Sequence, residues 1–164
     1  MAQGDYVFDQ TDFSLLLIRS HFPERTDGES LVIRAFLLEH LREFDRIIFG
    51  KRVGHGEPRD PTHLPAIQRQ TTLNTQKRID ILAFRGTQPI IIEVKQRVTP
   101  AALGQILTYR HHFLEESPDA PEPELWVVGR ESDADTLAAI SAHDVTVFLY
   151  PDAQLAGHAA GRGV

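Results

Sequence analysis

KRIDILAFRGTQPIIIEVKQRVTPAALGQILTY, residues 77–109, is the stretch on which the fold turns. Lys77–Phe84 and Ile90–Gln96 are short runs rich in Ile, Val and Phe. The segment Arg85-Gly86-Thr87-Gln88-Pro89 between them supplies turn residues, so the pair predicts a β-hairpin. Side chains alternate across a strand, which puts Ile91, Glu93 and Lys95 on one face and Ile90, Ile92 and Val94 on the other. On the partner strand Arg78, Asp80, Leu82 and Phe84 share a face, opposite Ile79, Ile81 and Ala83. A two-residue turn at Gly86-Thr87 sets Arg85 across from Gln88 and Asp80 across from Glu93. Two carboxylates and the Lys95 ammonium then converge, whereas a three-residue loop without a bulge would part them. Thr99-Pro100 next predicts a helix start, with Thr as cap and Pro at the first helical position. Leu103, Ile106, Leu107, Arg110 and Leu114 recur along that helix, with Gln105 and Tyr109 stacked four apart on a neighbouring face. Gly104 inside a helix costs about 1 kcal/mol relative to Ala, so it is expected to permit a close approach.

Opposed carboxylates repel, and a half-buried sheet tolerates them only with a cation between. Lys95 supplies part of that charge and a divalent ion more. Oxygen ligands without Cys suit a hard ion such as Mg²⁺ or Mn²⁺, which lowers the pKa of a bound water and steadies a leaving oxygen. Ordinary sheet electrostatics accounts equally well for an Asp and a Glu-x-Lys taken alone. Gln105 by itself reads as a surface residue and Tyr109 as the edge of a core.

Taken together, Asp80, Glu93-Val94-Lys95 and Gln105-x3-Tyr109 resemble the PD-(D/E)xK nuclease superfamily, whose fold is restriction-endonuclease-like. The Gln-x3-Tyr element is similar to the RecB-like branch, and IIIEVKQRVTPAALGQILTY to the nuclease domain of NucS-like endonucleases. The resemblance covers residues 29–150, with its specific signal in 78–109. Ile79 stands where the family name has Pro. NucS-like enzymes carry an additional N-terminal domain that this chain is too short to hold, so their substrate preference is not carried over. The resemblance implies an α/β fold in the order α-β-β-β-α-β-α-β, a mixed sheet flanked by helices, and a metal-dependent endonuclease acting on DNA ahead of RNA. It implies Mg²⁺ or Mn²⁺ on Asp80, Glu93 and the Val94 carbonyl. By the same resemblance Lys95 would orient water or steady the transition state, Gln105 would fix Lys95 or a phosphate, and Tyr109 would pack behind it or touch the backbone. In the family an acid near the start of the first helix often reaches the metal; Glu29 matches that place better than Glu39, with simple helix capping as the alternative. A catalytically silent nucleic-acid-binding or assembly module on the same fold is the competing expectation.

The rest of the chain fits one domain with a sizeable core: 164 residues, 41% hydrophobic. No apolar run approaches the ~20 residues of a membrane span. The N-terminus lacks the pattern of a signal peptide. Zero cysteines exclude disulfides, thiol chemistry and a Cys-based zinc site. A cytoplasmic setting is expected. No G-x4-G-K-[ST] loop is present, which counts against a nucleotide hydrolase. Net charge is −6, yet residues 42–110 hold twelve Lys/Arg against six Asp/Glu. That basic stretch carries the acid–lysine pattern and suits a phosphate backbone, with Lys51, Arg52, Arg69, Lys77, Arg78 and Arg97 as the candidate contacts.

Residues 1–28 are expected to form an extension that covers the core or makes a dimer contact, with FSLLLIRSHF (13–22) as helix or strand. A homodimer is the expected assembly for a chain with one site that must cut both strands. From Gly28-Glu29-Ser30 an amphipathic helix should run to about Phe44, burying Leu31, Val32, Ala35, Phe36, Leu38 and Leu41. Asp45–Val53 reads as the first strand. Gly54–Pro65, with three Pro and two Gly, reads as a loop that grips nucleic acid or stays disordered until it does; its two His are too far apart to claim as ligands. Ala66–Gln76 reads as a strand extending the sheet. Leu125–Gly129 and Val145–Tyr150 are expected strands around a helix at Asp133–His143, with Trp126 in the core and a flexible tail from 151 to 164.

Overall fold

The computed structural model describes residues 5–57 and 60–153. Its elements in order are β1 (Tyr6–Asp9), α1 (Phe13–Ile18), α2 (Asp27–His40), β2 (Arg46–Val53), α3 (Pro65–Thr75), β3 (Lys77–Arg85), β4 (Gln88–Arg97), α4 (Pro100–Glu116), β5 (Glu124–Glu131), α5 (Ala134–Ser141) and β6 (Val145–Leu149), with a 3₁₀ turn at Leu41–Glu43. The six strands form one open sheet in sequential order. β1 to β4 pair antiparallel, and β4–β5 and β5–β6 pair parallel through the α4 and α5 crossovers. The protein is α/β, as its sequence predicts. Among the described residues no helix is long and apolar enough to cross a membrane.

Two apolar layers sandwich the sheet. On one side α2 buries Val32, Ile33, Phe36 and Leu37 against Ile47, Phe49, Ile81, Ala83, Ile90, Ile92, Val94 and Trp126. On the other, α4 and α5 bury Ala102, Ile106, Tyr109, Phe113 and Ile140 against Leu82, Ile91, Leu125 and Val127. Each fully buried aliphatic or aromatic side chain contributes about 1.5–3 kcal/mol, so these layers dominate the fold's stability.

Several expectations need correction. Ala66–Gln76 is not a strand: Pro65 starts α3, which buries none of its residues. A polar segment with no apolar alternation has nothing to place against a sheet. α2 ends at His40, and its buried stripe is the expected one except at Leu38, which is 60% exposed; Ile33, Leu37 and His40 also go inward. α4 buries Ile106 as expected, together with Ala102, Tyr109 and Phe113, while Leu103, Leu107 and Leu114 pack partly buried against the same core. Nothing lies within 4 Å of a Cβ built on Gly104, so that glycine opens onto space instead of a neighbouring element. FSLLLI is helical, Leu16 and Phe22 join the α2-side core, and β1 adds an unexpected edge strand beside β2. Ala153 is buried in the same layer, so the chain packs through that residue; 154–164 lie outside the described residues.

Candidate functional site

The hairpin closes with Arg85 opposite Gln88, and the register continues to Ile81 opposite Ile92. One further step puts Asp80 across from Glu93. There the strands part. Beyond this point β3 stays with β2 as far as Val53 opposite Lys77, while β4 stays with β5 as far as Arg97 opposite Glu131. The sheet is therefore forked, and the acid pair sits at the base of the fork, between the two central strands and not at a sheet edge. The next hydrogen-bonded rung would pair Ile79 with Val94. Instead the Val94 N–H donates to Asp80 Oδ2 at 2.8 Å. A side chain takes over a backbone rung and holds the fork open.

A second irregularity lies alongside. Gly50 has φ +69°, and the β2–β3 register skips the Gly50/Asp80 pair. A Cβ there would approach the Arg78 guanidinium to 2.8 Å, so both the conformation and the space require glycine. The break shifts the alternation: Ile79 packs on the α4 side with Leu82, where strict alternation predicts the opposite face.

Asp80 and Glu93 are both buried, at 4% and 0% exposure. Lys95 Nζ lies 2.6 Å from Glu93 Oε1. Asp80 and Tyr109 are the other polar side chains that act on the Glu93 carboxyl. Burial first, and the Asp80 charge second, push the Glu93 carboxyl up to about 8. Burial also raises Asp80, against the pull of Arg25 and of the Val94 N–H. Tyr109 is raised by burial and then by the Glu93 and Asp80 charges, which places its phenol beside the pair. Asp80, Glu93, Val94, Lys95 and Tyr109 are thus brought together. Gln105 is exposed on the outer side of α4, where it lines a 260 Å³ cleft with Lys77, Ala101, Gly104, Thr108 and Tyr109. Tyr109 links this cleft to the acids.

Arg25 belongs to the site and no sequence pattern points to it. Its guanidinium lies 2.6 Å from Asp80 Oδ1, largely buried. The segment that carries it is pinned on both sides. Phe22 is buried and its N–H donates to Ser30 Oγ; Thr26 caps α2. Between them Glu24 adopts a left-handed backbone (φ 58°) and ion-pairs with Arg78. Two carboxylates thus meet two cations, Arg25 and Lys95, within one buried cluster.

Glu29 closes a capping box: its Oε2 accepts from the Thr26 N–H and hydroxyl at 3.1 Å, while the Glu29 N–H donates to Thr26 Oγ1. The capping account therefore describes Glu29 in this structure. Of the basic set, Lys51 pairs with Asp5, Arg78 with Glu24 and Arg97 with Glu131. Lys77 and Arg69 are exposed and Arg52 is half-buried. In the 54–65 connection, His63 sits 3.9 Å from Asp60, and residues 58–59 lie outside the described ones.

The donor set suits a hard divalent cation. Two buried carboxyl groups meet, with Lys95 and Tyr109 beside Glu93, and a cation between them would relieve the repulsion of the two acids. Arg25 stands on the Asp80 side of the place such an ion would take.

No family model matches the chain, and no curated protein matches it. A solved structure, titled as that of a protein of unknown function, AF1548, is similar at a TM-score of 0.39 and 14% identity over 73% of this chain. The match spans 56% of that protein's length.

Proposed function

We propose that this chain is a metal-dependent nuclease of PD-(D/E)xK type, hydrolysing phosphodiester bonds in DNA in preference to RNA. The observation that carries the proposal is Glu93: a fully buried carboxyl group, opposed to a second one, with a lysine ammonium 2.6 Å away. Such an arrangement costs stability, and proteins keep it where a cation and a reaction use it.

Mg²⁺ or Mn²⁺ held by Asp80 and Glu93 would polarise a phosphate oxygen and acidify a water. The chain's own groups supply the rest. Lys95, 27% exposed at its side chain, reaches both Glu93 and solvent, so it can hold the attacking water or the oxygen on which charge builds. Tyr109 fixes the floor of the fork. Lys77 and Gln105 line the adjoining cleft, where a phosphate of the strand can rest. Water adds to phosphorus, one P–O ester bond breaks, and the proton ends on the leaving oxygen.

Labelled single-stranded, duplex, flapped and four-way DNAs, with RNA alongside, test this in Mg²⁺ or Mn²⁺. Asp80→Asn, Glu93→Gln and Lys95→Ala should each abolish cleavage with the circular dichroism spectrum retained. Wild-type cleavage by any of the three removes that residue's role. The competing module without catalysis is favoured by one observation, the Arg25 guanidinium beside Asp80, which neutralises the acid without a metal. A protein that binds DNA but takes up no Mn²⁺ at the acid pair decides for that module.

A further inference from the structure

The outer side of α4 carries a second cluster, remote in chemistry from the acid pair. His111, His112 and Glu115 project from successive turns, with one donor atom of each within 4.8 Å of the others. His112 Nδ1 is 3.1 Å and His111 Nε2 3.5 Å from the two Glu115 oxygens, and the imidazole centroids are 5.1 Å apart. Zinc–ligand bonds of about 2.0–2.1 Å at tetrahedral angles place neighbouring donors about 3.3–3.4 Å apart. The two N···O distances bracket that value. Imidazoles with a carboxylate suit a borderline transition metal, in contrast to the all-oxygen pair in the fork.

The cluster is also braced from a second element. The Gly54 N–H donates to Glu116 Oε1 at 2.6 Å, tying the connection after β2 to the end of α4. Gly54, at φ +79°, lies against the His112 ring: a Cβ there would come within 3.2 Å of it. His55 follows and lines one cleft with Gly54 and His112. His112 is accordingly half-buried, at 24% exposure, while His111 is open at 66%.

We propose that His111, His112 and Glu115 form a binding site for Zn²⁺ or a like divalent transition ion beside the Gly54 backbone, with solvent completing the coordination. The sequence signal for it is His-His-x2-Glu on a helix, which places both imidazoles within reach of one carboxylate. The site stands independently of the nuclease proposal.

Co²⁺ titrated into the untagged full chain, with Mg²⁺ in excess to satisfy the oxygen site, tests it through the intense visible absorption of four-coordinate Co²⁺. One Co²⁺ per chain is expected, displaced by Zn²⁺, with at least about 10-fold weaker binding in His112→Ala and in Glu115→Gln. His143→Ala, remote from the cluster, should bind as the wild type does. Zn²⁺ should raise the wild-type melting temperature and leave that of His112→Ala unmoved. His111→Ala, at the most exposed position, serves as the variant least able to disturb the fold. Absence of a saturable Co²⁺ band, or equal affinity in folded His111→Ala and Glu115→Gln, overturns the proposal.

Discussion

Replacing Arg25 with Met keeps most of the aliphatic stem and removes the charge. The Arg25 and Asp80 side chains are 14% and 6% exposed, with 2.6 Å between guanidinium and carboxylate. Removing one partner of a buried ion pair costs about 3–5 kcal/mol, because the other charge is left in a poor solvent. Against a whole-protein stability of about 5–15 kcal/mol, the variant still folds. At 2–4 °C per kcal/mol for a chain of this size, its melting temperature should fall by about 6–20 °C. The same change clears the place beside Asp80 for a cation. Mn²⁺ at 100 times its dissociation constant returns about 2.7 kcal/mol. Urea unfolding followed by circular dichroism, with and without Mn²⁺, measures both effects, and Arg25→Lys, which keeps the charge, should lose less. Wild type should gain less from Mn²⁺ than Arg25→Met does, because its own guanidinium competes. A loss below about 1 kcal/mol in Arg25→Met would refute the buried-pair account. An Mn²⁺ gain no larger than that of the wild type would refute competition for one site.

Glu93 makes stability depend on pH. With the folded carboxyl pushed up to about 8 and the unfolded one near 4.5, the folded state holds the proton longer; stability is greatest below 4.5 on this group's account and falls as pH rises from there to 8. The slope reaches about 1.4 kcal/mol per pH unit, and Glu93→Gln should flatten it in unfolding curves taken across that range. That proton must leave before a cation binds, so Mn²⁺ affinity by calorimetry should rise up to about tenfold per pH unit below 8. Gly104→Ala meets no neighbour and should stabilise by about 0.5–1 kcal/mol, while lowering cleavage if the cleft beside it seats the strand. Glu29→Ala removes half of a capping box and should cost about 1 kcal/mol with cleavage intact; lost cleavage in a stably folded protein would make Glu29 a metal ligand instead.

The hairpin, its two-residue turn and the α4 start were legible because each rests on local chemistry. Gly86 takes φ +57° in the turn and Pro100 sits at the first helical position. Given that turn, period-two alternation carries Asp80 to Glu93. Rotation of the helices about their axes was legible only coarsely: Leu38 was expected inside and is exposed. Leu103 and Leu114 match the apolar period as well as Ala102 and Phe113, and the sheet beneath decides that the second pair is covered fully and the first in part. Fidelity of alternation also failed locally, at Gly50, where a left-handed residue reset the faces of β2 and β3.

By itself the sequence determined an α/β chain with two acids and a lysine brought close by one hairpin. Tertiary structure alone decided that the sheet forks there, that Asp80 replaces a backbone rung, and that Arg25, 55 residues earlier in the chain, supplies its counter-charge. The physical reason is range. Turn and helix-start preferences act over a few residues and are written in them. A buried charge is matched by whichever cation the packing of α2 against the sheet delivers, and no spacing in the chain records that.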